Sequence, residues 1–343
     1  MKTVGIDLRC LPTDGSAGAG VAHAAGFLTE ALLAQRVAWE WRPYTPTTAT
    51  GASLRAAMKA RPCDFLFVPS GAVAPLLWIP ALPWVHDLAI FDHPEWFPQS
   101  FFRRAITTTL FLRGIRRAPH VFAVSEHTKR EIVRVCGVDP KRILVTYEGG
   151  DPLLAAMRFE DLEQKKREAR DRIRASGIVS PFVLALGTVE PRKNLSMLVE
   201  MRLPIDLVIA GADGWKMNAL PSRTGVHRIT DVSDELRRDV LLAAEVVAVP
   251  SLHEGFGLVA LEAMQAGTAV IASNAGALPE VIGDGGMLLD PNDRDGWERA
   301  INGLLKDPHA LDKSAKKGKE RSRVFSWQRT ARIVTDAIAS LVF

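Results

Sequence analysis

Residues 246–265 read VVAVPSLHEGFGLVALEAMQ: an apolar run, a loop that contains two glycines, and a segment of helical character. Consecutive apolar residues without polar alternation are typical of a strand that is buried on both faces of a parallel sheet. Gly255 and Gly257 permit a tight turn after that strand and let the backbone approach a ligand closely. The stretch therefore predicts one strand–loop–helix step of an α/β domain.

Similar apolar runs recur along the chain of 343 residues, separated by segments of helical character. In the first half they are residues 4–8, 37–41, 64–69, 82–87, 120–125 and 143–147. In the second half they are residues 182–187, 205–211, 226–230, 246–250, 268–273 and 287–290. Two such sets predict an α/β protein with two Rossmann-like, doubly wound parallel-sheet domains.

The predicted boundary follows the sequence Gly-Gly-Asp-Pro at residues 149–152, where the first set of strands ends. We expect an N-terminal domain over residues 1–155 and a charged, exposed linker helix over 156–179. A C-terminal domain is expected over residues 180–326, and a final helix over 327–343, where apolar residues recur at helical spacing.

The composition narrows the class of protein. The net charge is +4, and Cys10, Cys63 and Cys136 lie far apart, as expected for reduced thiols in a cytoplasmic protein. The N-terminus reads as a first strand, and no apolar run reaches the ~20 residues that a membrane helix needs. Residues 100–120 hold five arginines and no acid. This stretch is either a core-packed helix with a solvated basic face or, over residues 100–117, a peripheral contact with an anionic membrane. No nucleic-acid-binding motif accompanies it.

The loop and helix after the run 246–250 carry two carboxylates, Glu254 and Glu262. Ligands bind outside the carboxyl ends of the strands in open parallel sheets, so this loop faces the expected site. The start of the helix offers free N–H groups and a positive dipole end to a diphosphate. Glu262 lies about 9 Å further along the helix axis. Glu254 is therefore a candidate for sugar hydroxyls and Glu262 for ribose hydroxyls; the alternative is a loop carboxylate plus an exposed helix glutamate.

Two adjacent bases follow the run 182–187. Arg192 offers a planar guanidinium fork and Lys193 a point charge, and both suit a pyrophosphate leaving group. They would neutralise its growing charge without a divalent metal. The alternative is a solvated basic pair in front of a helix.

The first domain contributes weaker candidates. The loop at residues 15–20 includes Gly18 and Gly20, but His23 stands where a dinucleotide fingerprint needs its third glycine. The match to the fingerprint fails, which counts against a nicotinamide-dependent oxidoreductase on this domain. Glu40 lies twenty residues after Gly20, at the position of a ribose contact, and keeps that alternative open. His86 follows the fourth run and would orient the acceptor or hold the donor sugar, unless it only pairs with Asp87. Ser125 is either an acceptor contact or a helix cap.

The sequence shows no zinc-type spacing, and neither a metal ion nor an organic cofactor is expected. Asp290 and Asp293 are interpreted as turn residues.

Residues 254–262 resemble the Glu-x7-Glu motif of the retaining glycosyltransferase family 4, the group 1 glycosyltransferases. The flanking sequence is similar too, and His86-Asp87-Leu88 with His93-Pro94-Glu95 resembles the branch rich in mannosyltransferases. Further matching segments are residues 187–194, 210–211, 249–251, 266–267 and 278–281.

The resemblance implies a GT-B fold, in which two Rossmann-like domains face a cleft and the C-terminal helix packs back on the N-terminal, acceptor-binding domain. The C-terminal domain would bind the donor. Arg192 and Lys193 would bind its diphosphate, and Glu254 with the backbone of Gly255, Phe256, Gly257 and Leu258 the transferred sugar. Glu262 would bind the ribose, Gly187 would lie beside the donor, and the backbone near Val232 would meet the base. Acceptor contacts are expected at Gly18, Gly20, His86 and Ser125. The expected catalytic set is Arg192, Lys193, Glu254 and His86.

The sequence thus predicts a metal-independent, retaining hexosyltransferase that acts in polysaccharide or glycolipid assembly. GDP-mannose is the favoured donor and a UDP-sugar the second candidate, with a saccharide or lipid-linked saccharide as acceptor. The enzyme is expected to be cytoplasmic, with a peripheral position at the inner face of the membrane left open. A non-catalytic protein that binds nucleotide sugars or membrane surfaces is the remaining alternative.

Overall fold

A computed structural model describes residues 1–11, 20–45, 50–175, 177–178, 181–215, 220 and 223–342. The chain divides into two compact units. Unit 1 comprises Met1–Pro94, Gln99–Gly149 and Phe325–Phe343, and unit 2 comprises Glu95–Pro98 and Gly150–Val324.

Unit 1 alternates strands and helices over the first 149 residues. The elements are β1 (Thr3–Asp7), α1 (Gly20–Leu33), β2 (Glu40–Tyr44), α2 (Gly51–Ala60), β3 (Phe65–Val68), β4 (Ala81–Val85), α3 (Ala89–Asp92), α4 (Phe101–Arg117), β5 (Val121–Ala123), α5 (Glu126–Glu131) and β6 (Ile143–Val145). A π-helical turn, Ile132–Cys136, follows α5, and a 3-10 turn, Pro140–Arg142, precedes β6.

The strands of unit 1 form a parallel sheet in the order β2-β1-β3-β4-β5-β6. This order places a topological switch point between β1 and β3. Residues of β1 and β4 are buried throughout. Large side chains such as Phe67, Trp84 and Phe122 fill the layer beneath the helices.

Strand β2 differs from the prediction of residues 37–41. It runs over Glu40–Tyr44 in register with β1, and Pro43 lies opposite Ile6. Proline lacks the N–H that a residue of a central strand donates, and the predicted strand therefore ended before Pro43. Because β2 is an edge strand, the missing donor costs no ladder hydrogen bond.

Unit 2 repeats the pattern with a second set of elements. They are α6 (Pro152–Ala156), α7 (Phe159–Ala175), β7 (Phe182–Leu186), α8 (Leu195–Val199), β8 (Asp206–Ala210), β9 (Val226–Ile229), α9 (Asp234–Ala243), β10 (Val246–Val249), α10 (Leu258–Gln265), β11 (Ala269–Ser273), α11 (Leu278–Ile282), β12 (Met287–Leu289), α12 (Arg294–Lys306) and α13 (Pro308–Ser322). Unit 1 then receives the last helix, α14 (Trp327–Val342).

The second sheet is also parallel, in the order β12-β11-β10-β7-β8-β9. Counted within the unit, this is the 3-2-1-4-5-6 order of the Rossmann fold read from the opposite edge. The switch point lies between β7 and β10, which pair directly. Trp297 and Ile271 are fully buried in its core. The prediction of two Rossmann-like parallel sheets is confirmed.

The segment that was expected to be a linker, residues 156–179, contains a helix that belongs to unit 2. Helix α7 belongs to unit 2, where Arg172 makes two hydrogen bonds with Asp239 of α9, at 2.8 and 2.7 Å. Leu162, Ala169 and Ile173 are buried along one face of α7. The high charge of this segment reflects its solvated face, while its few apolar residues are spaced to pack.

The division between the units also lies earlier than residue 155, since unit 2 begins at Gly150. Asp151 caps α6 by accepting hydrogen bonds from Leu153 N and Leu154 N. Its own amide donates to Gln265 of α10 at 3.0 Å.

Helix α14 packs against α1 within unit 1, and the Phe27 and Trp327 rings lie 6.1 Å apart. Thr330 of α14 also donates a hydrogen bond to the carbonyl of Tyr147. The described helices include none that combines the length and the apolar character required to cross a membrane.

The ends of β7 and β8 approach so closely that Gly211 leaves no room for a side chain. A Cβ atom there would lie 2.2 Å from the carbonyl oxygen of Gly187, and the φ angle of Gly211 is +139°. We expect Gly211→Ala to destabilise unit 2 by roughly 3 kcal/mol, through strain and a clash between backbones. Calorimetry should then show an unfolding temperature for this unit that is roughly 6–12 °C lower.

The matched control is Gly303→Ala on α12, where an added Cβ meets nothing within 4 Å. This change should stabilise the helix by up to about 1 kcal/mol. Equal unfolding temperatures for the two variants would contradict the described packing at Gly211.

Candidate functional site

The strongest candidate site lies at the carboxyl ends of β7 and β10, the two strands that flank the switch point of unit 2. Arg192 and Lys193 follow β7 in a 3-10 turn, Pro191–Lys193. Residues 250–257 follow β10. The two loops are joined by a hydrogen bond from Leu252 N to the carbonyl of Arg192, at 2.7 Å. Sequence positions about 60 residues apart therefore meet because their strands are neighbours.

Glu254 is the centre of this site and is only 7% exposed. Its Oε2 accepts a hydrogen bond from Arg192 Nη1 at 3.0 Å, and its Oε1 accepts one from Lys193 Nζ at 2.6 Å. The Ser251 hydroxyl also donates to Oε1, at 2.8 Å. The three residues predicted to act on the donor thus form one ion-paired cluster.

A second carboxylate completes the cluster and was not predicted from the sequence. Glu190 is 4% exposed, and its Oε1 lies 2.6 Å from Arg192 Nε. Arg192 Nη1 donates in addition to the carbonyl of His253, at 3.3 Å. Its guanidinium is therefore fixed in orientation by contacts with both loops. Glu190 could have been predicted as a site residue, because it lies in the loop after a buried strand and two residues before Arg192.

The cluster shifts the pKa of its members. Burial alone would raise the pKa of Glu254, but the charges of Lys193 and Arg192 and the hydrogen bonds from Lys193 and Ser251 outweigh it, and the pKa falls to about 2. Burial also lowers the pKa of Lys193, against the opposing charge of Glu254. The carboxylate is thus ionised throughout the physiological range.

The loop from Gly255 to Leu258 leads into the N-terminus of α10. Gly257 caps this helix with a φ angle of +108°, in the region that favours glycine. A Cβ atom at Gly257 would lie 2.8 Å from Leu278 Cδ2. Phe256 is buried at 4% exposure, so it anchors the loop beneath the site. The first N–H groups of α10 thereby lie at the same strand end as Glu254.

Glu262 lies on α10 and is 1% exposed, so it is not a solvated helix glutamate. Its Oε2 accepts a hydrogen bond from Arg237 Nε at 2.9 Å and a second one from Arg237 Nη2. Arg237 belongs to α9 and was not predicted as a site residue. Its pairing with Glu262 depends on how α9 is rotated against α10, which the sequence pattern does not specify.

The two residues after Arg237 make separate ion pairs. Arg238 Nη1 lies 3.3 Å from Asp151 Oδ2, and Asp239 pairs with Arg172 of α7. Three consecutive positions of α9 therefore reach α10, the cap of α6, and α7. Helix α9 is held in one orientation, and with it the guanidinium that contacts Glu262.

The two other predicted donor residues belong to unit 2. Gly187 directly follows β7, and a Cβ atom there would lie 3.9 Å from Lys193 Nζ. Val232 is half-buried just before Ser233, which caps α9.

His86 lies in unit 1 and has both ring nitrogens engaged. Nδ1 is 3.1 Å from Glu148 Oε1, and Nε2 is 2.8 Å from the carbonyl oxygen of Pro69. Burial alone would lower the pKa of His86, but the hydrogen bond and charge of Glu148 outweigh it and the pKa is raised. The ring partner is therefore Glu148 and not Asp87, which accepts a hydrogen bond from Ala89 N.

The remaining candidates, Ser125, Gly20 and Gly18, belong to unit 1. Ser125 is fully buried and caps α5 by accepting a hydrogen bond from Thr128 N at 2.9 Å. Gly20 is the exposed first residue of α1, and Gly18 lies outside the described residues. Asp7 was not predicted as a site residue; it is buried at the end of β1 and paired with Arg9.

Known proteins are similar to this chain in sequence, and solved structures are similar to it in fold. The chain is 29% identical over 259 residues to O-antigen chain mannosyltransferase B of Escherichia coli, an alignment that covers 71% of this chain and 66% of that protein. It is 33% identical over 223 residues to MMP alpha-(1->4)-mannosyltransferase of Mycolicibacterium hassiacum, covering 64% of this chain and 53% of that protein. The chain thus spans between about half and two thirds of the length of these relatives.

Among solved structures, sucrose-phosphate synthase from Thermosynechococcus elongatus superposes with a TM-score of 0.79 at 20% identity, covering 100% of this chain and 99% of that one. This likeness concerns the fold alone.

Two family models account for most of the sequence. Residues 23–152 match the model described as Glycosyltransferase Family 4, and residues 168–322 match the model described as Glycosyl transferases group 1. The chain belongs to glycosyltransferase family 4, the group 1 glycosyltransferases.

Proposed function

We propose that the protein is a retaining hexosyltransferase that moves a sugar from a nucleoside-diphosphate donor to a saccharide or lipid-linked saccharide, in polysaccharide or glycolipid assembly. GDP-mannose is the donor that we favour, because both relatives described above are named mannosyltransferases. A UDP-sugar is the second candidate. Unit 2 would bind the donor and unit 1 the acceptor.

The observation that carries this proposal is the buried cluster of Glu254 with Arg192 and Lys193. The side chains of the two bases are 21% and 14% exposed, so the cluster is open to a ligand on one side. A diphosphate gains negative charge as its bond to the anomeric carbon breaks. Two fixed cations at a strand end stabilise that charge without a metal ion.

Glu254 would act on the sugar and not as a nucleophile. Its low pKa keeps it ionised, so it accepts hydrogen bonds from sugar hydroxyls. Ser251 and the two bases hold both of its oxygens in place. The sugar is thereby oriented with its anomeric carbon beside the phosphate that leaves.

The nucleotide would lie along α10. The N–H groups after Gly257 and the positive end of the helix dipole suit the diphosphate. Glu262, held by Arg237, would accept hydrogen bonds from the ribose hydroxyls. The backbone near Val232 would then meet the base.

The transfer would proceed on one face of the sugar. The acceptor hydroxyl oxygen forms a bond to the anomeric carbon from the side on which the diphosphate leaves, while the bond from that carbon to the phosphate oxygen breaks. The hydroxyl proton passes to the leaving phosphate oxygen. The products are a glycoside with retained configuration and a nucleoside diphosphate.

The acceptor side of the proposal rests on unit 1. His86 follows β4, where the strand ends of unit 1 would face the acceptor, and its ring is held in one orientation by Glu148 and the Pro69 carbonyl. We further propose a cytoplasmic enzyme that contacts the inner face of the membrane through residues 100–117. On α4, Phe102 and Ile106 are 78% and 63% exposed beside exposed arginines.

Removal of the Glu254 charge should slow the chemistry without preventing nucleotide binding. For Glu254→Gln we expect the rate of GDP release from GDP-mannose to fall by roughly 10²–10³-fold. The neutral amide no longer balances the charges of Arg192 and Lys193, and it accepts fewer hydrogen bonds from sugar hydroxyls than the carboxylate does. GDP itself should still raise the unfolding temperature. The matched control is Glu235→Gln, an exposed carboxylate on α9, which should behave as the wild type. Unchanged GDP release in Glu254→Gln would refute the assigned role.

The donor base can be identified by thermal shift with GDP, UDP, ADP, TDP and NAD, in the presence of EDTA. We expect GDP to give the largest shift, since a ligand at a hundredfold over its Kd adds about 2.7 kcal/mol to stability. Arg237→Lys keeps the charge but loses the guanidinium fork on Glu262, so it should weaken GDP binding about tenfold. Arg172→Lys, which alters the separate pair with Asp239, should not. A shift with NAD alone would favour the oxidoreductase alternative.

The ionisation of Glu254 predicts a pH dependence of stability. Its pKa of about 2 in the folded protein lies below the ordinary value of 4.5. Its contribution, on the order of 3 kcal/mol, is therefore complete above about pH 4.5 and is lost as the pH falls toward 2. Urea unfolding should show that the difference in stability between wild type and Glu254→Gln narrows as the pH falls from 6 to 3. A constant difference would contradict the lowered pKa.

A further inference from the structure

Unit 1 carries a groove beside α2 that is lined by apolar and basic side chains and by none of the predicted site residues. The groove has a volume of about 390 Å³ and is lined by Ala52, Arg55, Ala56, Lys59, Leu76 and Trp78. We call these six residues the α2 surface. They come from α2 and from the segment that joins β3 to β4.

The joining segment displays its apolar side chains because it is firmly attached. Leu77 and Ile79 point inward and pack on the core beneath α2. Their neighbours Leu76 and Trp78 point outward and are 82% and 53% exposed. Arg55 Nη1 donates to the carbonyl of Pro75 at 2.9 Å and ties the segment to the helix. Two large apolar side chains are therefore held in solvent by a segment that is anchored on both sides of them.

Leu76 also has a backbone conformation that leucine rarely adopts. Its φ angle is +60°, in the left-handed region. A bulky residue at positive φ is an outlier, and such strain persists where the surrounding structure imposes it and often has a functional reason. Burial within this chain does not offset the strain, since the side chain is exposed. We therefore expect that contact between Leu76 and a binding partner supplies the free energy that offsets this strain.

The charged residues that line the α2 surface, Arg55 and Lys59, are both basic. Arg61 adds a base nearby in sequence, and residues 50–63 contain no acid. The acids on either side of this stretch are paired, Glu40 with Arg42 and Asp64 with Lys2. An apolar pair flanked by bases is complementary to a surface that offers anionic groups above an apolar layer.

We propose that the α2 surface docks on an anionic phospholipid membrane. Leu76 and Trp78 enter the headgroup region, where tryptophan is favoured, and Arg55 and Lys59 contact lipid phosphates. A saccharide fits this groove less well, because the described residues that line it include no carboxylate or amide side chain to accept and donate hydrogen bonds with sugar hydroxyls. This surface is separate in sequence from residues 100–117, and its role does not depend on the identity of the donor.

The test is co-sedimentation of the full chain with sucrose-loaded vesicles of phosphatidylcholine that contain roughly 30% phosphatidylglycerol, against vesicles of pure phosphatidylcholine. The wild type should bind the anionic vesicles and release from them at high salt. Leu76→Ser with Trp78→Ser should weaken binding by at least about tenfold, and Lys59→Gln by about fivefold. Thermal unfolding verifies that each variant is folded.

Two further variants keep the proposal open to refutation. Leu76→Gly relieves the strain, so it should weaken vesicle binding without lowering the unfolding temperature. Leu153→Ser removes a side chain of unit 2 that is 59% exposed and should leave binding unchanged. The proposal is overturned if the wild type does not bind anionic vesicles at low salt. It is equally overturned if the Leu76→Ser, Trp78→Ser variant binds as the wild type does. Loss of binding in Phe102→Ser with Ile106→Ser would then support the contact through residues 100–117 alone.

Discussion

The buried carboxylate of Glu254 imposes the strictest condition on this protein. An ionised group in the interior is tolerated only when opposite charges and hydrogen bonds replace its water. Lys193 and Arg192 supply those charges, yet they lie about 60 residues earlier in the chain. The requirement is met because β7 and β10 are neighbours in the sheet, although two strands and their helices intervene in sequence. The order of the strands and the electrostatics of the site are therefore a single constraint.

The general fold and the meeting of Glu254 with Arg192 and Lys193 could be predicted from the sequence. Both follow from repeated apolar runs and from the rule that parallel strands end at one edge of a sheet. The position of β2 could not, because Pro43 is acceptable only in an edge strand, and edges are a property of the assembled sheet. The packing of α7 within unit 2 could not be predicted either, because its sequence is mostly charged and only a few of its residues are buried.

The partners of the predicted residues were harder to foresee than the residues themselves. Glu262 was expected to bind the ribose, with an exposed helix glutamate as the alternative, and no partner within the protein was predicted for it; the structure buries it against Arg237. His86 was expected to contact the acceptor or the donor sugar, with a pairing to Asp87 as the alternative, whereas its ring contacts Glu148, 62 residues away. In each case the partner comes from an element whose rotation and distance are set by tertiary packing. Residue type and spacing indicate where charge is needed, but not which side chain will balance it.

Helix α9 has a consequence for the exchange of segments between relatives. Arg237, Arg238 and Asp239 occupy consecutive positions, and successive residues of a helix are turned by about 100° from one another. Their ion pairs with Glu262, Asp151 and Arg172 therefore restrain more than half of the helix circumference. If α9 alone is replaced by the corresponding helix of a relative with other residues at these three positions, then Glu262, Asp151 and Arg172 lose their ion-pair partners. Such a chimera should keep the packing of the helix only if Glu262, Asp151 and Arg172 are exchanged together with it.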